Sequence, residues 1–277
     1  MCRIKCHMNA RVAALHWPEY LIEAGAIGTF MVSAAGFAAL LYYPASFVAT
    51  GIHSELLRRG LMGLAMGLTA MAIIYSPAGQ RSGAHMNPAV TLTFFRLGKI
   101  DRSDAVAYVV AQFIGAAFGL AVIAIALAGV VSDPSVNYVT TVPGPAGAAV
   151  AFAAELTISF VLMWCVLAVS NDRRVSAYTG VCAGLLVWLY ITVEAPLSGM
   201  SMNPARTLGS ALLAADFRSL WIYFAAPPLG MLTAAELFVR RHGVHRVLCA
   251  KLHHAHTGPC HFACAMKPPQ ASDIETP

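Results

Sequence analysis

The sequence predicts an all-α membrane protein of six transmembrane helices and two half-helices, arranged as an inverted internal repeat. Three observations carry that prediction. The 277 residues are 58% hydrophobic and 11% charged, against roughly 25% charged in average soluble domains. Long apolar runs recur six times. Two short stretches, Ser82-Gly83-Ala84-His85-Met86-Asn87-Pro88-Ala89-Val90-Thr91 and Ser198-Gly199-Met200-Ser201-Met202-Asn203-Pro204-Ala205-Arg206-Thr207, repeat one polar turn and one Asn-Pro-Ala.

The six apolar runs cover about 20–41, 61–75, 105–131, 146–169, 177–193 and 220–239, and none contains Lys or Arg. Most are close to the ~20 residues that cross a bilayer. The first, at about 22 residues, exceeds a 7–15-residue signal core and reads as an uncleaved span. Together they leave almost no room for a soluble domain. The division is an N-terminal tail over 1–18, a membrane domain over 19–242 and a Cys/His-containing tail over 243–277.

Each Asn-Pro-Ala reads as a helix start. Asn is a favoured N-cap and Pro is best tolerated at the first helical position. The runs that follow, 90–95 and 207–214, are too short to span. Each half then has three spans and one half-helix, over about 19–131 and 146–240. Three is an odd number, so the second half inserts upside down and the half-helices point at each other from opposite faces. Gly-interrupted short segments in corresponding halves are the sequence pointer to a permeation site. Glycines at packing intervals (Gly60, Gly63 and Gly67; Gly115 and Gly119; Gly180 and Gly184) suit close helix contacts. The stretch 132–145, with three prolines, reads as an ordered connector.

Of the 18 Lys and Arg, only Arg58, Arg59, Arg206 and Arg218 fall on the side opposite the termini. The positive-inside rule then puts both termini in the cytoplasm. The net charge of +5 follows from this asymmetry, and no basic groove with interleaved aromatics offers a nucleic-acid surface.

With these residues in place, the chain resembles the major intrinsic protein family, the aquaporins and aquaglyceroporins. The resemblance runs from about 19 to 240. It rests on the two Asn-Pro-Ala stretches, the Arg after the second, Ala107-Tyr108…Ala111-Gln112…Gly115-Ala116 in the third span, and Trp221-x-Tyr223-x-x-x-Pro227 in the sixth. It implies a right-handed helical bundle, a homotetramer with one pore per protomer, and passage of water and small neutral solutes such as glycerol or metalloid hydroxides. No enzymatic chemistry and no cofactor is expected. Short loops hint at a bacterial inner membrane.

The implied roles map onto this sequence residue by residue. Asn87 and Asn203, capping helices that begin Pro88-Ala89 and Pro204-Ala205, would donate amide hydrogens at the pore centre, where both half-helix N-termini are positive. Gly83, Ala84, His85 and Met86, with Gly199, Met200, Ser201 and Met202, would supply carbonyl ladders. Arg206 stands where the helix dipole disfavours a cation, and would serve as donor and cation barrier in the outer constriction. Its companions there would be Met66, Ile191 and Met200, with Gly67 replacing Met66 in an ungapped alignment. Neither an aromatic nor a His occupies this ring, and Ile191 resembles the nodulin-like, metalloid-conducting branch. Thr207, Ala211 and Tyr223-Phe224 instead resemble the water-channel pattern. Glu23 and Glu155 would accept hydrogen bonds from pore-loop amides.

Two other readings of the residues stay open. Intramembrane acids are functional by default, so Glu23 or Glu155 could serve a proton-coupled transporter. A structural member with an inactive pore is the third. In the tail, Cys249, His253, His254, His256, Cys260, His261 and Cys264 form a Cys/His-rich tract that could bind metal, although the spacing fits no standard zinc motif. The last residues, 267–277, read as disordered.

Overall fold

The computed structural model describes residues 15–254 and 260–266. Six helices are long and apolar enough to cross a membrane: α1 (Trp17–Tyr42), α2 (Glu55–Tyr75), α4 (Arg102–Ala126), α5 (Ala148–Ser170), α6 (Thr179–Val193) and α8 (Leu220–His242). Between them lie two half-helices, α3 (Pro88–Arg96) and α7 (Pro204–Ala214). No strand occurs among the described residues.

Local chemistry sets the ends. Ser54 caps α2, its hydroxyl accepting from the Leu57 amide at 3.3 Å. Tyr43 and Ser76, each preceding a proline, turn extended and stop α1 and α2. The second span begins six residues before the apolar run and carries Arg58 and Arg59 within it, a correction to the reading of a cation-free helix. Arg58 donates from Nε to the Ile52 carbonyl and from Nη2 to that of Ala49, both at 2.7 Å, and Arg59 reaches the Thr192 carbonyl at 3.2 Å. These cations tie the ends of loops and helices together. The third span ends at Ala126 rather than 131, because the chain turns through Leu127 and a left-handed Gly129.

The inverted repeat appears in the packing. In the first half α1 packs on α4; in the second, α5 packs on α8 in the same way. The halves join where α2 lies along α6, where α3 rests on α8, and where α7 rests on α4. Glycines make these approaches. A Cβ on Gly115 or Gly119 would collide with the backbone of Ala24 or Gly28, and one on Gly63 or Gly67 with that of Trp188 or Gly184. Gly60 departs from the expected series: nothing lies within 4 Å of a Cβ there.

Candidate functional site

The two Asn-Pro-Ala loops have matching backbones. Ala84 and Met86 in the first, and Met200 and Met202 in the second, have φ between 48° and 54°. Each residue held in that left-handed region costs of order 1–3 kcal/mol. The alternation turns successive peptide groups in opposite directions, which presents carbonyls to one side and amides to the other. On the amide side of each loop stands a buried acid. Glu23 accepts from the His85 amide at 3.0 Å and the Met86 amide at 2.7 Å, and also from Ser82 Oγ and Gln112 Nε2, each at 2.8 Å. Glu155 accepts from the Ser201 amide at 2.6 Å, the Met202 amide at 2.7 Å and Ser198 Oγ at 2.8 Å. Charge-assisted bonds of this kind are worth roughly 1.5–3 kcal/mol each, enough to hold the strained loops. Both oxygens of both acids are engaged.

Asn87 and Asn203 each do two things. As N-caps, Asn87 Oδ1 accepts from the Ala89 amide at 2.8 Å, and Asn203 Oδ1 from those of Ala205 at 3.0 Å and Arg206 at 3.3 Å. That fixes the amide nitrogens toward the opposite loop. Asn87 Nδ2 donates to the Met202 carbonyl and Asn203 Nδ2 to the Met86 carbonyl, both at 2.7 Å. An amide nitrogen carries two hydrogens, so one on each Asn remains for a guest. Pro88, Ala89, Pro204 and Ala205 are buried behind this pair.

A cavity of about 640 Å³ runs past the Asn pair. Toward one mouth it is lined by Met66, Ile191, Met200 and Arg206, with Tyr42, Arg58 and Arg59 beyond. Ala84, His85, Met86, Gly199, Ser201 and Met202 also line it. The choice between Met66 and Gly67 has a geometric answer: Met66 lines the cavity while Gly67 packs on Gly184. Arg206 Nη1 is buried with no partner among the described residues, a donor left to the cavity. Most of the remaining wall is apolar, including Phe30, Met62, Ile74, Val166 and Val187, with Glu55, Ser135 and Thr140 as polar members. The sequence singled out none of the five apolar residues, because a pore-facing apolar residue carries the same helical periodicity as a lipid-facing one.

Gly83 differs from its expected role. It does not line the cavity; its carbonyl accepts from the Leu252 amide at 3.2 Å, and Leu252 itself lines the cavity at the mouth opposite Arg206. The described part of the tail packs here. His85 lies 2.9 Å from the Ala250 carbonyl through Nε2 and stacks on Phe262. Tyr108 Oη lies 2.9 Å from His261 Nε2, and the Ala263 amide donates to the Lys99 carbonyl. Burial pushes His254 and His261 down to about 4. The hydrogen bond between the two thiols lowers Cys260 and raises Cys249. His256 and 267–277 lie outside the described residues.

Two supports were quoted in the sequence motifs without a role. Tyr108 Oη donates to the Ser82 carbonyl at 2.7 Å and Tyr223 Oη to the Ser198 carbonyl at 2.5 Å. Each span that closes a repeat thus holds the loop of its own half.

Six spanning helices, two half-helices whose Asn caps bridge to each other's loops, and a cavity passing both Asn residues within a single chain define a pore-forming membrane protein. The family model for the major intrinsic protein matches residues 15–238. Aquaporin NIP1-2 of Arabidopsis thaliana is 32% identical over 221 residues, covering 78% of this chain and 72% of that protein. A probable NIP-type aquaporin of Nicotiana alata is 33% identical over 216 residues, covering 78% and 75%. The X-ray structure of the aquaglyceroporin from Plasmodium falciparum superposes with a TM-score of 0.69 at 21% identity, covering 80% of this chain and 95% of that one. The chain belongs to the major intrinsic protein family. It is a passive channel for water and small solutes, and not an enzyme.

Proposed function

We propose that solutes pass in single file between Asn87 and Asn203, and that the channel admits water together with small uncharged solutes while rejecting protons and cations. The observation that carries this reading is the reciprocal bridge of the two Asn amides. Each bridge aims the second amide hydrogen at a guest oxygen, so a water at the centre spends its lone pairs on protein donors. Its neighbours then orient away in both directions, which interrupts a proton wire. Positive ends of α3 and α7 oppose a cation there, and the buried Arg206 guanidinium opposes it again at the outer ring.

Solute size is set at Met66, Ile191, Met200 and Arg206. Three of the four are apolar and two are flexible methionines, so glycerol or a neutral metalloid hydroxide can slide carbon or hydrogen-poor faces along them while Arg206 binds hydroxyls. The acids Glu23 and Glu155 act as loop supports. A cytoplasmic placement of both termini rests on the Lys/Arg asymmetry, a homotetramer on the family resemblance, and the bacterial inner membrane only on the short loops.

The test is stopped-flow light scattering of proteoliposomes with an impermeant osmolyte and, in parallel, with glycerol. Rapid shrinkage followed by rapid glycerol re-swelling is expected. Glycerol entry no faster than in empty vesicles restricts the channel to water, and slow shrinkage in the impermeant osmolyte overturns the open pathway.

A further inference from the structure

Beyond the conduction path, three thiols from two parts of the tail converge. The Sγ atoms of Cys249, Cys260 and Cys264 all lie within 4.8 Å of one another, and those of Cys249 and Cys260 are 3.6 Å apart. All three are free. A disulfide requires about 2.05 Å between sulfurs, far shorter than this. Ligands at ~2.3 Å around one tetrahedral zinc stand ~3.8 Å from each other, close to the spacing here. The donor set is sulfur alone, and thiolates select soft cations such as zinc and Cu(I) over magnesium or calcium.

We propose that Cys249, Cys260 and Cys264 form a thiolate site for a soft metal cation, with a fourth coordination position open to water or an exogenous ligand. On binding, each thiol releases its proton to solvent and the sulfur lone pair goes to the metal; no electron changes hands.

The position of the site gives it a consequence. Cys249 is three residues from Leu252, and Cys260 two from Phe262. Leu252 lines the cavity and its amide occupies the Gly83 carbonyl. Phe262 packs on Gly83 and stacks on His85. An ion held by all three sulfurs joins both segments and closes the loop between them, so its binding free energy adds to docking of the tail. The loaded site therefore holds Leu252 in the pore mouth, and the empty site lets it leave.

The test uses the full-length protein, purified reduced and metal-free. Cobalt(II) is the spectroscopic probe, since sulfur-to-cobalt charge transfer grows with each thiolate bound. One equivalent per protomer is expected, displaced by zinc, with a stepwise loss of intensity in C249S, C260S and C264S. A titration without a charge-transfer band, or one unchanged in all three variants, overturns the site. So does a Cys249–Cys260 disulfide that persists in the reduced preparation. These readouts do not depend on conduction. Proteoliposomes prepared with zinc or with a chelator on both sides then test the consequence. Lower water permeability with zinc is expected, and the difference should vanish in C264S, whose permeability in chelator should match the parent. An equal zinc effect in C264S overturns the link to the tail.

Discussion

Glu23 and Glu155 occupy equivalent places in the two repeats and hold their loops by the same device. Each accepts the two consecutive backbone amides before an Asn and the hydroxyl of the serine five residues before it. The left-handed residues of each loop, Ala84 and Met86 or Met200 and Met202, are thereby fixed from behind while their other face stays available to the pore.

Replacing an acid with its amide isostere should separate support from shape. In Glu155→Gln one oxygen becomes a donor facing an amide or hydroxyl donor already in place, leaving a buried group unsatisfied. A loss of roughly 2–3 kcal/mol is expected, read as a lower thermal midpoint in detergent together with lost water permeability. Unchanged stability would show that the loop holds its strained backbone without the carboxylate.

Arg206 lines the cavity with a buried Nη1 that has no partner among the described residues. Arg206→Val should raise glycerol permeability roughly tenfold, a barrier change of ~1.4 kcal/mol, and admit protons measurable with a pH dye inside vesicles. A variant with parental glycerol and proton fluxes would place the barrier elsewhere.

Ile191 lines the same cavity as Arg206. Ile191→His introduces a donor and a polar ring there, so the ratio of glycerol to water permeability should fall while water flux is retained. Parallel stopped-flow traces on the same vesicles give the ratio directly.

Glycine substitutions should divide by contact rather than by sequence spacing. Gly119→Ala drives a Cβ into the Gly28 backbone and should cost about 1–3 kcal/mol. Gly60→Ala meets nothing within 4 Å and should be neutral or stabilising by up to about 1 kcal/mol. Thermal unfolding of the two variants side by side makes the comparison.

The docked tail should loosen in acid. His254 titrates at about 4 because burial, then Lys251 and His253, disfavour its charged form, against 6.5 when free; burial moves His253 the same way. A depressed folded value means that the contribution to docking is whole above 6.5 and is lost as pH falls toward 4. Amide exchange over 247–252, corrected for intrinsic rates, should therefore quicken between pH 6.5 and 4 relative to the helices.

The Asn-Pro-Ala pair was legible because two constraints coincide in it. Asn and Pro are among the few residues that start a helix well, and a helix this short in an apolar chain needs a partner to complete a crossing. The inverted order followed from counting spans. Arg58 and Arg59 fell outside the apolar run although they belong to α2, because hydropathy registers their charge and not the carbonyls that receive it, those of Ile52 and Ala49 for Arg58 and that of Thr192 for Arg59. Gly60 shares a helix face with Gly63 and its carbonyl accepts from Trp188 Nε1 at 3.1 Å, yet a Cβ there meets open space, because sequence spacing registers the face and not the distance between helices. The tail was least legible: its docking depends on Gly83, His85 and Tyr108, which lie more than a hundred residues away.

The Asn bridges bear on how the molecule is made. Asn87 Nδ2 bonds to Met202, and Asn203 Nδ2 to Met86, so each partner is on a stretch synthesised at a different time. When the first three spans have left the ribosome, Asn87 faces the membrane interior without its acceptor, an omission worth roughly 1–3 kcal/mol. The first half-helix is therefore expected to stay near the surface, or in the care of the insertion machinery, until translation of the second half delivers Met202. Insertion of the two re-entrant segments becomes a single late event in biogenesis.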